Sequence, residues 1–155
     1  ALAEEVGLLK KLALPIILTP HPGEMGRLAR LSPDDVQGDR QRIAVEFAKK
    51  YNVIVVLKGH ATVVADYAGS VYVNDTGNPG MASGGCGDVL TGMIAGLLGQ
   101  RLSLWDAARL GVYLHGLAGD LAAAERGEIG LLASDLADRI PLAIRHYQRQ
   151  DASPA

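Results

Sequence analysis

Apolar positions along this chain fall into two rhythms. Residues 15–19 (Pro-Ile-Ile-Leu-Thr) and 53–57 (Val-Ile-Val-Val-Leu) are short continuous apolar runs that stop at proline- or glycine-bearing turns. Such runs predict strands buried on both faces, as in a parallel sheet. Elsewhere apolar residues recur every three or four positions, the helical period. That period predicts helices over residues 3–12, 24–31 and 42–51. In the last of these Ile43, Ala44 and Phe47 share one face, while Arg42, Glu46, Lys49 and Lys50 form a solvated one. Ser32-Pro33-Asp34-Asp35 reads as a helix start, with Ser as cap, Pro at the first helical position and Asp at the third. Gly38 divides that short helix from the next. Residues 62–66 and 70–74 predict an antiparallel hairpin turning at Tyr67-Ala68-Gly69.

The second half reads as mostly helical. Val89, Leu90, Met93, Ile94, Leu97 and Leu98 follow a glycine-crowded stretch at helical spacing, in a helix expected from Asp88. Ser103-Leu104-Trp105-Asp106 is another capping box. It opens a helix expected over residues 104–125, with Leu110, Leu114, Leu117 and Leu121 on one face, small residues on another, and His115 as a packed or hydrogen-bonded residue. Gly127 and Gly130 mark a break. A last helix is expected from Ser134-Asp135, interrupted or re-entered at Pro141 and ending near Gln148, with a frayed tail over residues 150–155. Strands alternating with helices, then a hairpin, imply a three-layer α/β domain: a mostly parallel sheet flanked by helices, in a single domain over residues 1–149.

Composition narrows the function classes. The chain has 155 residues, 48% of them hydrophobic, enough for one domain with a real core. A net charge of −2 with no basic block gives no footing for a nucleic-acid or membrane-surface partner. Glycine and charge interrupt each apolar run before spanning length, and no signal-peptide pattern is visible. The one cysteine, Cys86, forms no internal disulfide and suits a reducing cytoplasm. Aromatic residues are only 5%, so the core must rest on Leu, Val, Ile and Ala.

Three stretches carry candidate chemistry. In the first, Gly84, Gly85 and Gly87 precede a helix whose first-turn N–H groups lack intrahelical partners, so an anion could approach the backbone closely. Asp88 stands there as a carboxylate able to take a proton from a substrate hydroxyl, or as a favourable first-turn acid in a glycine-rich turn. In the second, His21 follows the strand at 15–19, where open α/β sheets gather ligands; it reads as a ligand contact or as a solvated turn histidine. In the third, Lys58-Gly59 follows the strand at 53–57. The lysine either holds a phosphate or ribose or simply leaves a buried strand for water.

Gly84-Gly85-Cys86-Gly87-Asp88 resembles the Gly-Gly-(Thr/Ser)-Gly-Asp signature of the ribokinase-like superfamily, and Asn78-Pro79-Gly80-Met81-Ala82-Ser83 resembles its NAD(P)H-hydrate dehydratase branch. Thr19-Pro20-His21-Pro22-Gly23-Glu24 is similar to a motif of the bacterial dehydratases, Lys58 to Thr62 to a Leu-Lys-Gly-x-x-Thr motif, and Ala133-Ser134-Asp135-Leu136 to a structural run. The resemblance implies a ribokinase-like fold and ADP-dependent dehydration of hydrated NAD(P)H, a carbon–oxygen lyase reaction of cofactor repair. It implies Asp88 as catalytic base, His21 and Asp88 at the substrate, and an anion hole of Gly85, Cys86 and Gly87. Lys58, Gly59, His60, Ala61, Thr62 and Gly87 would line the adenine nucleotide, with His60 at a variable position and given no chemistry of its own. Glu24 is read as a first-turn helix acid or a partner of the ligand-binding groups. Cys86 departs from the family's hydroxyl residue, and a thiol is a weaker donor.

ADP, with ATP as the other candidate, is the implied co-substrate, with Mg²⁺ assisting and no protein-held metal site. A cytoplasmic homo-oligomer, up to a tetramer, is the family expectation, and the chain resembles the C-terminal part of a longer domain. The same residues would also serve a kinase for a small alcohol, such as a sugar or vitamin precursor, or a nucleotide-binding fragment without turnover.

Overall fold

Each residue of the 53–57 run is buried, and the strand it forms is paired on both edges. The structure, a computed structural model, describes residues 2–151. Strand β1 (Ile17–Leu18) pairs in parallel with β2 (Ile54–Leu57), which pairs antiparallel with β3 (Val63–Ala65), which pairs antiparallel with β4 (Val71–Val73). The register sets Ile17 opposite Ile54, Val56 opposite Val64, and Val64 opposite Tyr72. The β1–β2 pair is the parallel part of the sheet; the expected hairpin adds the two antiparallel strands. β1 is shorter than the run predicted, since Pro15 and Pro20 have no N–H to give a ladder. The Ile16 carbonyl still accepts the Ile54 N–H at 2.9 Å. At the hairpin turn the Asp66 carboxylate accepts the N–H groups of Gly69 and Ser70, both at 2.7 Å, and Gly69 supplies the positive φ of +100°.

The chain divides into two compact units. One runs up to Asn74 and includes Leu102–Arg109; the other comprises Asp75–Arg101 and the chain from Leu110 onward. In the first, α1 (Pro22–Ala29), α2 (Pro33–Gly38) and α3 (Arg40–Tyr51) accompany the sheet. The Ser32 capping box forms as read. α3 starts two residues early because the Asp39 carboxylate accepts the Arg42 N–H at 3.2 Å and so acts as cap. Its face of Ile43, Ala44, Phe47, Ala48 and Tyr51 is buried with Met25, Val36, Val55 and Leu57 in one core. The helix expected over residues 3–12 shrinks to 3-10 turns at Val6–Lys10, with no side-chain cap and only Leu9 buried. Gly7 inside it and the missing cap explain why no longer helix holds.

The second unit contains a 3-10 turn at Pro79–Met81, α4 (Cys86–Gly99), most of α5 (Leu104–Arg126), and α6 (Ala133–Asp151). Its core gathers Cys86, Leu114, Ala118, Leu136 and Ala143, with Met93, Leu110, Leu117, Leu121 and Ile140 packed partly against them. α6 passes through Pro141 instead of breaking there. Leu136, Ile140, Ala143 and Tyr147 pack on both sides of the proline, and this packing outweighs its lost hydrogen bond. The frayed tail expected over residues 150–155 falls, for residues 152–155, outside the described residues.

Candidate functional site

β1 and β2 run in the same direction, so the segments leaving them emerge at one edge of the sheet. They are joined there by the Lys58 N–H, which donates to the Pro20 carbonyl at 2.8 Å. His21 proves to be the cap of α1: its Nδ1 accepts the N–H groups of Gly23 at 3.1 Å and Glu24 at 3.3 Å. Pro22 takes the first helical position, and the Glu24 carboxylate returns to accept the His21 N–H at 2.7 Å, closing a capping box. Because Nδ1 accepts, the neutral ring carries its proton on Nε2, which lies 3.6 Å from Glu24 Oε1. The ring stays half exposed, at 51% of its side-chain surface. Glu24 Oε2 also lies 3.8 Å from Lys58 Nζ, a loose pairing that leaves the ammonium free to face an anion. The structure therefore brings His21, Glu24 and Lys58 together.

The loop after β2 is shaped by its backbone. Gly59 has φ +140° and Ala61 φ +53°, and the Thr62 hydroxyl donates to the Gly59 carbonyl at 3.0 Å. Arg40, at the start of α3, reaches this loop: Nη2 donates to the Leu57 carbonyl at 2.8 Å and Nη1 to the His60 carbonyl. His60 thus contributes a carbonyl, and its ring is given no role. Burial pushes the Arg40 guanidinium below its ordinary value.

In the second unit, the glycine stretch leads into α4 through Gly85, a left-handed N-cap at φ +91°. A Cβ at Gly84 would meet nothing within 4 Å, so the space beside it is open. Asp88 is exposed on the helix's first turn; its own N–H donates to the Gly85 carbonyl at 3.0 Å. The Cys86 thiol points inward, 3% exposed, with Sγ 3.3 Å from Ser83 Oγ. The Cys86 N–H makes a long 3.4 Å contact to the Ser83 carbonyl, and the Cys86 carbonyl is 2.8 Å from His115 Nε2, so His115 is hydrogen-bonded inside the helix pack as expected.

Two groups were beyond sequence reasoning. Arg40 reads as another charge at a helix start, and its partners lie 17 and 20 residues away. Asp120 sits unremarked in α5, yet its carboxylate accepts the Gly77 N–H at 2.8 Å and the Asn78 Nδ2 at 3.0 Å, tying down the loop before the glycine stretch. The capping role of His21 did have a signal: proline at the next position and glutamate two beyond. Among the described residues no group of three or more His, Cys, Asp or Glu side chains could hold a metal ion. No described helix is long and apolar enough to cross a membrane.

A family model described as NAD(P)H-hydrate dehydratase matches residues 2–142. A bifunctional NAD(P)H-hydrate repair enzyme of Moorella thermoacetica is 51% identical over 136 residues, covering 88% of this chain and 26% of that protein. A crystal structure of an ADP/ATP-dependent NAD(P)H-hydrate dehydratase from Bacillus subtilis, co-crystallised with ATP and Mg²⁺, superposes with a TM-score of 0.83 at 40% identity, over 86% of this chain and 49% of that one. A ribokinase-like superfamily protein from Enterococcus faecalis V583 superposes with a TM-score of 0.71 at 33% identity, over 93% and 51%. The chain thus spans about half the length of the solved proteins and about a quarter of the bifunctional one.

Proposed function

Because this chain belongs to the NAD(P)H-hydrate dehydratase family, we propose that it takes part in ADP-dependent dehydration of hydrated NAD(P)H back to NAD(P)H. The observation that carries the proposal is the exposed Asp88 carboxylate on the first turn of α4, close behind Gly84, beside which the space is open. The hydrated ring must lose a hydroxyl, a poor leaving group, and converting it to a phosphate ester makes it a good one. Asp88 takes the proton from that hydroxyl as it attacks the terminal phosphoryl group of the nucleotide, which leaves one phosphate shorter, as AMP from ADP. The N–H groups of Gly85 and Gly87, with that of Cys86 once it leaves its long contact, hold the charge on the transferring group. Phosphate then departs, the neighbouring ring carbon gives up a proton to solvent, and the electrons of that C–H bond restore the ring's double bond. The His21 Nε2–H and imidazole face bind the nicotinamide nucleotide, and Lys58 with the backbone through Thr62 binds the adenine nucleotide. Mg²⁺ on the phosphates would offset their charge. ADP over ATP follows the bacterial form of the His21 motif. The same proposal includes a cytoplasmic homo-oligomer, which light scattering of the purified protein would check.

The protein is mixed with hydrated NADH, Mg²⁺ and either ADP or ATP, and the near-ultraviolet absorbance of intact dihydronicotinamide is followed. Recovery that needs ADP is the expected result. Asp88→Asn should lower the rate by about 10²–10⁴, the usual contribution of a general base. Turnover of Asp88→Asn at the wild-type rate, or a stable phosphorylated product in the mass spectrum, would overturn the mechanism.

A further inference from the structure

We infer that Arg40 is a positioning residue that holds the loop from Lys58 to Thr62 in the shape that receives an adenine nucleotide; this rests on the assignment of that loop under Proposed function. The guanidinium lies across the place where the loop leaves β2. One nitrogen holds the carbonyl of Leu57, the last residue of the strand, and the other holds the carbonyl of His60, in the middle of the loop. A planar guanidinium presents its donors along fixed directions, so binding two carbonyls at once fixes their separation.

The backbone between those carbonyls lies against the same group. A Cβ on Gly59 would stand 3.1 Å from Arg40 Nη2 and 3.3 Å from Cζ, and Gly59 has φ +140°. Glycine is thus favoured there for its conformation, and a side chain would also press on the arginine. In a trans peptide the C=O and N–H point in opposite directions. Anchoring the Leu57 carbonyl on Arg40 therefore aims the Lys58 N–H away from the arginine, where it meets Pro20 O at 2.8 Å. Anchoring the His60 carbonyl aims the Ala61 N–H away in the same manner, as a donor on the loop's other face. Hydrogen bonding at one end of a peptide polarises it and strengthens donation at the other.

The arginine also carries a cost that packing alone does not explain. Its Nε is buried without a hydrogen-bond partner, and among the described residues no ion pair involves it. An unsatisfied buried donor is unfavourable. Held there unpaired, the guanidinium keeps its positive charge behind the loop that is to face phosphates.

The test compares wild type, Arg40→Ala and Arg40→Lys by steady-state kinetics and by amide hydrogen exchange over residues 58–62, with and without ADP and Mg²⁺. Arg40→Ala should speed exchange in the unliganded loop and raise KM for ADP about tenfold, the order expected from losing charged hydrogen bonds that shape a site. Its kcat and its KM for hydrated NADH should stay near wild type. Arg40→Lys keeps the charge but offers a single point of donation, so most of the defect should persist. Full rescue by lysine would overturn the bridging role, as would a parallel loss in kcat, both KM values and Tm. Absence of ADP protection over residues 58–62 in the wild type would overturn the nucleotide assignment beneath the inference. ADP protection and KM in Arg40→Ala equal to the wild type's would overturn the role of Arg40 alone.

Discussion

His21 caps α1 through Nδ1, which accepts two backbone N–H groups, and the ligand contact proposed for it would use Nε2 and the exposed ring face. The two can be separated by substitution. Asparagine is among the best N-caps, so His21→Asn should keep α1 and leave Tm close to wild type while raising KM for hydrated NADH. His21→Ala should raise KM and also lose about 1 kcal/mol of stability, the usual cost of a lost cap. An unchanged KM in His21→Asn would remove histidine from the ligand site. Cys86 shows the same division in reverse. Its thiol is committed to the interior beside Ser83, so any phosphate contact at this position comes from its backbone N–H. The departure from a hydroxyl residue is therefore felt inside the helix pack.

At the scale of elements, α5 is read by its glycines as much as by its leucines. A Cβ on Gly116 would stand 2.1 Å from Thr76 Oγ1 and 2.7 Å from the Thr76 backbone; one on Gly119 would stand 2.2 Å from Met81 Sδ. The segment before the glycine stretch thus lies directly on the helix, held by the Thr76 hydroxyl on the Tyr113 carbonyl at 2.9 Å and by Asp120. Gly116→Ala meets backbone that cannot move aside without breaking those bonds, and should cost roughly 1–3 kcal/mol or more. Gly119→Ala meets the flexible end of a methionine and should cost less. Chemical denaturation of the two variants checks the order; equal costs would mean that the Thr76 segment yields as readily as the methionine. Small residues on a helix tell a reader that something approaches closely, but the sequence does not say what. Asp120 is separated by more than forty residues from Gly77 and Asn78, and only the folded chain makes them neighbours.

Over the whole molecule, the resolved shifts lie mostly in exposed pairs. Hydrogen bonds from Ser32 hold the Asp35 carboxyl below its ordinary value, those from Arg42 lower Asp39, and Arg139 lowers Glu125. A carboxyl with a depressed folded-state pKa stabilises the fold above its unfolded value, and that contribution is lost as pH falls through the folded one. Tm should therefore be flat between about pH 6 and 8 with respect to these groups and decline below about pH 4, where carboxylates titrate. All three sites are open to solvent, so salt should weaken the effect. A scan of Tm against pH at two ionic strengths reads both; a Tm that rises on acidification would contradict the assignment.

The amino-acid sequence by itself determined the element types, because hydrophobic period and capping chemistry act within a few residues. The Ser32 capping box, the Ser103 cap, the hairpin at Gly69, the buried β2 run and the apolar face of α3 were all legible for that reason. Three motifs in order also pointed to the family. Tertiary structure decided the rest. It carried α6 through Pro141 by packing both flanks. It placed Lys58 beside Glu24, and laid Arg40 across the Leu57 and His60 carbonyls. These are contacts between segments distant in the chain. Their energies depend on distances that no local pattern encodes, so they came into view only when β1 and β2 were set side by side and the loops at their ends met.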